Sequence, residues 1–343
     1  MYKGETVGVV VPAYNEAGFV GEVIETLPPF VDRAYVVDDR STDDTWQEIQ
    51  RTADRVNNRS GTVYSNQIHA DGGQVFSPRI EAIRHDRNRG VGGAIKTGYA
   101  RAREDGIDVV AVINGDGQMD PSILDRIIDP VVEGRAEYAK GNRLSNREHR
   151  ESMSTWRLFG NTVLTFLTKF VSGYWRMNDP QNGYTAISAR ALETIDVDRL
   201  YDGYGFCNDL LVHLNVHDMR IEDVEMESQY GDETSHIRYS TFVPNLSWLL
   251  LQRAIWRYKT KYVVADFHPL VFLFALGLAG AGAGVFFAGW SLASTGVVSV
   301  QGMLSVIVIL LSGLFVTLAM VFDRLANERL QPRVNEPVGR GDR

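Results

Sequence analysis

The chain has 343 residues, of which 44% are hydrophobic and 23% charged, and its formal charge is −8. That length holds one globular domain of about 200–250 residues plus an appendage. The acidic balance disfavours a nucleic-acid-binding surface, which must neutralise phosphates. The lone Cys207 excludes an intrachain disulfide, and no Cys/His group has zinc spacing.

Met1 to Thr6 is polar, and the apolar run Val7–Val11 is too short for a signal sequence, which leaves the N-terminal part on the side of synthesis. Val7–Val11 predicts a buried strand ended by Pro12, and Glu16–Leu27 follows with helical spacing. Ala34–Val37 predicts a second strand ended by Asp38-Asp39, and Thr42–Ala53 a helix. After the loop Asn88–Gly92 comes a helix over Gly93–Asp105, then a strand over Val109–Ile113 stopped by Asn114-Gly-Asp-Gly117. Continuous apolar strands alternating with helices imply an α/β fold with a mostly parallel sheet covered on both faces. Ligands of such sheets bind at the carboxyl ends of the strands, where all these polar clusters fall.

The second half differs. Ser152–Tyr174 and Phe242–Tyr262 interleave Trp, Phe and Leu with few charges, and Arg253, Arg257, Lys259 and Lys261 edge the second. Both read as amphipathic helices in a membrane interface. Pro269–Phe322 contains no Asp, Glu, Lys or Arg and is long enough for two spans, at about His268–Gly289 and Gly302–Phe322. Basic residues on both flanks, including Arg324, Arg329 and Arg333, put both termini in the cytoplasm. Gly277, Gly280 and Gly284 permit close helix approach, and with it self-association into a homo-oligomer. The domain reading is therefore 1–240 a globular α/β domain, 241–264 juxtamembrane, 265–323 a transmembrane hairpin and 324–343 a tail, which is Pro/Gly/Arg-rich from Gln331 and read as disordered.

Pro12, Tyr14 and Glu16 make a strand-end corner with a flat ring and polar edges, suited to a nucleobase. Asp38 and Asp39 end the next strand, where a carboxylate accepts from ribose hydroxyls, and Ser41 or Thr42 can cap the following helix. The glycine-rich turn Asn88–Ala94 suits close backbone approach, with Lys96 a candidate phosphate contact; its spacing is neither a dinucleotide fingerprint nor a P-loop. Asp116, beside glycines at a strand end, suits a magnesium or manganese ion bridging a diphosphate.

Taken in order, Val11-Pro-Ala-Tyr-Asn-Glu16, Val36-Val-Asp-Asp-Arg-Ser-Thr-Asp43, the Asn88 turn and Asp116-Gly-Gln118 resemble a family-2 glycosyltransferase, and more narrowly dolichyl-phosphate mannose synthases and polyprenyl-phosphate glucosyltransferases. The resemblance covers roughly Thr6–Lys261. It implies a Rossmann-like, GT-A type nucleotide-sugar domain, a divalent metal (Mg2+ or Mn2+), and inverting transfer of a hexose from a GDP-mannose or UDP-glucose type donor to dolichyl or polyprenyl phosphate. It also implies base contacts from Pro12, Tyr14 and Glu16, a nucleoside contact from Asp38, and metal contacts from Asp116 and Gln118. Asn114 stands where the family has the first acidic residue of Asp-x-Asp, and brings a carbonyl ligand without charge. Arg143 matches a family arginine near the phosphates, and Asp179, Gln181 and Asn182 match the segment lining the sugar site. Arg238 and Ser240 match the acceptor-phosphate segment.

Relatives acting on hydroxyl acceptors have an acidic pair where this chain has Asn208-Asp209, so Asp209 is the one candidate base left. That loss agrees with a phosphate acceptor, whose second pKa of about 6 makes it a dianion at neutral pH. Two other readings are a polysaccharide synthase of the same fold, which Gln252-Arg-Ala-Ile-Trp256 matches only in composition and not in order, and a non-catalytic sugar-lipid scaffold.

Overall fold

The computed structural model describes residues 1–64, 76–143, 155–226, 239–295 and 299–331. Among them seven strands form one sheet: β1 (Val7–Ala13), β2 (Arg33–Asp38), β3 (Ile80–Arg84), β4 (Val109–Val112), β5 (Tyr138–Asn142), β6 (Thr185–Ser188) and β7 (Ile221–Glu225). Their order is β3-β2-β1-β4-β6-β5-β7. Strands β1 to β4 are mutually parallel, β6 runs antiparallel to both β4 and β5, and β7 is parallel to β5. The reversal at β6 brings its start, with Thr185 opposite Val112, to the edge where β4 ends.

Alternate residues of β1 enter separate cores. Val9 and Val11 join Ile24 and Ile127, whereas Val10 joins Tyr99 and Leu210. Burial on both faces accounts for the uninterrupted apolar run in the sequence. The helices supplying these cores are α1 (Val20–Thr26), α2 (Thr45–Tyr64), α3 (Gly90–Glu104), α4 (Leu124–Val132), α6 (Ala189–Thr194) and α7 (Phe206–Val216), while α5 (Thr155–Ser172) joins a third cluster. The first two begin later than the periodicity predicts. Residues 14–19 form a loop braced by the segment before α2, and that segment is itself drawn out of helix by bonding to the loop.

Beyond β7 come α8 (Tyr239–Lys259), a π-helical turn over Thr260–Ala265, α9 (Leu270–Thr295) and α10 (Val300–Asn327). The stretches Leu270–Ser294 and Val300–Leu330 are long and apolar enough to cross a membrane. Both helices exceed the expected spans, and the connection between them is correspondingly shorter. The glycine stripe is used within the hairpin. A Cβ on Gly277 would lie 2.6 Å from Val316, one on Gly280 2.4 Å from Ser312, and one on Gly284 2.6 Å from Ile309. The close approach expected between two copies is therefore taken up by α9 against α10.

The end of α10 departs from the tail reading. It continues through Asp323 and Asn327 into a turn over Glu328–Leu330, with Leu330 buried in the core beside Leu210. Residues 332–343 lie outside the described residues, and so does the disorder expected there. Asp323 and Arg257 are both fully buried and ion-paired. Asp323 also accepts from Tyr262 Oη at 2.6 Å and Trp175 Nε1 at 2.8 Å, and Arg257 Nε donates to Asn215 at 2.9 Å. One network thus ties α7, α8 and α10 together.

The two helices read as interfacial have two apolar faces each. Leu246, Leu249 and Leu250 of α8 pack on Val171 of α5 and Val212 of α7, while Trp248, Leu251 and Ile255 are more than half exposed. Phe166 of α5 is likewise outward-facing at 51% exposure.

Candidate active site at the carboxyl edge of the sheet

The motifs that lie apart in sequence converge at one edge. The Asn114-Gly-Asp turn docks on β1: Gly115 N–H donates to Pro12 O at 3.0 Å, and a Cβ on Gly115 would lie 3.1 Å from that of Ala13. Asp39 N–H donates to Ala13 O at 2.9 Å. Gly183 faces Asn114 from the other side, 3.5 Å from its Oδ1 as measured from an added Cβ. Three side-chain-bearing residues in these loops, Asn15, Arg40 and Asp179, hold φ of 57°, 65° and 45°. Such left-handed backbone costs of order 1–3 kcal/mol each and persists where surrounding bonds over-determine it.

The bonds that do so are visible around Asn15. Its Oδ1 accepts from Thr42 N–H at 2.8 Å and Oγ1 at 3.2 Å, and its own N–H donates to Ser41 Oγ at 3.0 Å. Ser41 and Thr42, expected to cap α2, therefore brace the Tyr14–Glu16 corner, while Asp43 accepts from both Thr45 N–H and Thr45 Oγ1. Tyr14 stays 45% exposed with its ring open for stacking, and Glu16 is half-buried beside it.

Asp38, the last residue of β2, and Asp39, the residue after it, divide their work. Asp38 is fully buried, accepts from Ser41 N–H at 3.1 Å and pairs with Arg84 at 2.9 Å. Asp39 accepts from Arg89 N–H and Gly90 N–H, each at 2.7 Å, and bonds His85 Nδ1 at 2.7 Å. It clamps the glycine-rich turn. The backbone that this turn approaches is the chain's own Tyr201–Gly203 loop. A Cβ on Gly92 would sit 2.4 Å from Tyr201 O, and one on Gly90 2.6 Å from Asp202 O. Lys96 serves the same contact: its Nζ donates to Asp198 O, Leu200 O and Asp202 Oδ1 at 2.8–2.9 Å. With three donors engaged inside the protein, the phosphate contact expected of Lys96 gives way to a structural role.

Asp116 is half-buried, and burial pushes its pKa up, outweighing bonds from Gln118 N–H (3.0 Å) and Asn114. Among the described residues no cluster of three or more His, Cys, Asp or Glu is disposed to hold a metal. One desolvated carboxylate, with the side-chain amides of Asn114 and Gln118 two residues to either side in the chain, nevertheless fits a hard divalent ion, which takes oxygen ligands and draws the remainder from phosphate and water. A cation there relieves the burial of a negative charge.

Across the edge, Arg143 grips Asp179 with two bonds, Nε–Oδ2 at 2.8 Å and Nη2–Oδ1 at 3.1 Å. Burial alone would raise the Asp179 pKa, but the bonds and charge of Arg143 win and lower it. Asn182 is buried in its turn and accepts from Tyr184 N–H at 2.9 Å, while Gln181 Nε2 donates to Asn208 at 2.9 Å. Beneath them Lys140 is 1% exposed, donates to Asp179 O at 2.9 Å and pairs with Asp223, its register partner on β7. The sequence sign of that pair, a charge inside each of two strands, becomes readable only with the register.

Asp209 is buried with both oxygens engaged. Arg253 approaches at 2.6 Å (Nε–Oδ1) and 2.9 Å (Nη2–Oδ2), and Tyr201 N–H donates to Oδ2 at 2.8 Å. A carboxylate so held is not placed to take a proton, so the base candidate becomes an anchor for α8. Arg238 lies outside the described residues; Ser240 falls in the first turn of α8.

The family model for glycosyl transferase family 2 matches residues 8–196, more than half of the chain, and the chain belongs to that family. It is a glycosyltransferase with a GT-A-like fold. A UDP-N-acetylglucosamine–dolichyl-phosphate N-acetylglucosaminyltransferase of Methanococcus voltae is 29% identical over 225 residues, 65% of this chain and 86% of its own length. An undecaprenyl-phosphate mannosyltransferase of Micrococcus luteus is 26% identical over 220 residues, 59% of this chain and 74% of that one. Among solved structures, glucosyl-3-phosphoglycerate synthase from Mycobacterium tuberculosis in complex with UDP is similar in fold, with TM-score 0.53 at 19% identity, covering 73% of this chain and 80% of that one. The same enzyme with Mn2+, UDP and glucosyl-3-phosphoglycerate gives 0.50 at 18% identity, covering 74% and 80%.

Proposed function

We propose that the protein transfers a sugar from a nucleotide-sugar to a polyprenyl phosphate at a membrane surface. The observation that carries this reading is positional. The carboxyl-edge site sits on the same body as α8 and α5, whose outward faces are apolar, and that body is pinned by Arg257–Asp323 to a hairpin long enough to span a bilayer. The names of the Methanococcus and Micrococcus relatives point to the same class of acceptor.

In this reading Tyr14 and Glu16 take the base, on a corner stiffened by Asn15, Ser41 and Thr42. Asp116, with Asn114 and Gln118, holds Mg2+ or Mn2+, which supplies charge neutralisation at the leaving diphosphate. Asp179, Gln181 and Asn182 line the sugar position, and Arg143, oriented by Asp179, faces the phosphates. The acceptor phosphate meets Arg238 and Ser240. No general base is needed, because the dianion is already the nucleophile and positioning does the remaining work. The engagement of Asp209 by Arg253 supports that economy. The catalytic domain lies on the cytoplasmic side.

The test is transfer in detergent from UDP-N-acetylglucosamine, UDP-glucose and GDP-mannose, each radiolabelled, to polyprenyl phosphate with Mg2+ or Mn2+. An organic-extractable, EDTA-sensitive sugar lipid from one donor is the expected product and names the sugar. Sugar released or polymerised without lipid product from every donor contradicts the proposed acceptor.

A further inference from the structure

The Asp198–Gly203 loop is gripped from two sides. From the catalytic domain, Lys96 Nζ binds Asp198 O, Leu200 O and Asp202 Oδ1, and Gly93 N–H donates to Asp202 O at 3.1 Å. From the juxtamembrane helix, Arg253 Nη2 donates to Arg199 O at 3.2 Å, and its partner Asp209 accepts from Tyr201 N–H. The loop and α8 enclose a groove of about 580 Å³ lined by Tyr201, Asp202, Trp248, Gln252 and Arg253. The fit leaves no slack: the missing Cβ atoms of Gly90 and Gly92 are what let the loop touch α3, and a Cβ on Gly205 would meet Leu249 at 2.6 Å.

The contacts continue from there. The turn opening α3 hangs from Asp39 through Arg89 N–H and Gly90 N–H, and Asp39 N–H is bonded to Ala13 O, next to Tyr14. An unbroken series of bonds therefore runs from α8 to the nucleobase corner. Arg253 is its entry point, since it alone of the α8 residues described binds both Asp209 and the loop.

We propose that Arg253 is a positioning residue for nucleotide binding: by holding Asp209 and the Asp198–Gly203 loop against α3, it makes the nucleotide corner depend on docking of the juxtamembrane helix. This rests on the reading of that corner as the nucleotide site. A domain whose α8 is undocked then binds its donor poorly, which confines turnover to molecules with α8 seated on the catalytic domain.

Calorimetric binding of UDP and of GDP, each with Mn2+, to the full chain in detergent tests it, with a melting curve for every variant. Arg253→Ala is expected to weaken nucleotide binding about tenfold, the usual scale of coupling between separated contacts. Arg253→Lys, which keeps the charge but not the two-pronged grip, should fall between. Because Arg253→Ala leaves Asp209 buried without its cation, the paired change Arg253→Met with Asp209→Leu provides a second, charge-free break, and the same loss is expected. Lower melting temperature with nucleotide affinity unchanged in all variants would overturn the inference and leave the site reading intact. A wild-type chain that binds neither nucleotide would overturn both.

Discussion

Asp116 shows how one residue separates ligand-free from ligand-bound energetics. Burial raises its pKa in the folded chain, so folding disfavours its charged form. The sign follows: ionised Asp116 subtracts stability above its folded pKa, and the subtraction vanishes as pH falls below the unfolded carboxylate value. Asp116→Asn is expected to melt higher than wild type at about pH 7 without ligand, with the gap closing towards about pH 4. With UDP or GDP and Mn2+ the order should reverse, and transfer should drop by about 100-fold or more. Equal melting of both proteins at neutral pH would remove the argument from burial. The neighbouring carboxylates carry a different lesson. Asp38 and Asp39 are equivalent in the sequence, yet one braces its own loop and Arg84 while the other suspends the glycine-rich turn. Asp38 is the last residue of β2 and Asp39 the first of the loop beyond it, and only the packing around each says what it meets.

At the level of elements, the buried Arg257–Asp323 pair is the joint between catalytic domain and hairpin. Taking two charges out of water is costly, and leaving one of them alone is costlier. Asp323→Ala should therefore destabilise the protein by about 3–5 kcal/mol, whereas Asp323→Leu combined with Arg257→Met should recover most of that loss. Unfolding followed by intrinsic fluorescence in detergent measures both, and a single variant as stable as wild type would show that the pair is not what joins the two parts. Periodicity found three of the seven strands, β1, β2 and β4, along with both outward-facing helices and the two apolar spans; β3, β5, β6 and β7 went unread. It missed the ends. The α10 helix runs past the apolar stretch because Asp323, Asn327 and Leu330 find partners on a surface far away in sequence. The glycine stripe was legible as a close-packing face, but a stripe does not say which helix it packs against.

For the whole molecule, the end of α10 docks on the catalytic domain through Gln331 and Asn327; in the proposed orientation Glu328–Leu330 then lie on the cytoplasmic side and Ser299 on the other. The basic residues Arg253, Arg257, Lys259, Lys261 and Arg324 flank the two apolar spans on the same side as Glu328–Leu330, and the charge rule for cytoplasmic flanks supports the proposed orientation. Ser299→Cys is expected to react with an impermeant maleimide on intact cells, and Arg329→Cys only after lysis. The reverse pattern would invert the proposed orientation. What the sequence determined by itself was local or periodic: three buried strands, the apolar spans, and four loop motifs that mark the glycosyltransferase family. The tertiary structure alone decided the partners. It turned Lys96 from an expected phosphate contact, and Asp209 from a candidate base, into anchors, consumed the glycine stripe within the hairpin, and bound Arg253 to a loop some fifty residues away. The physical reason is that a charge or a missing Cβ is stabilised by whatever lies within a few ångströms of it, and spacing along the chain carries no record of that neighbour.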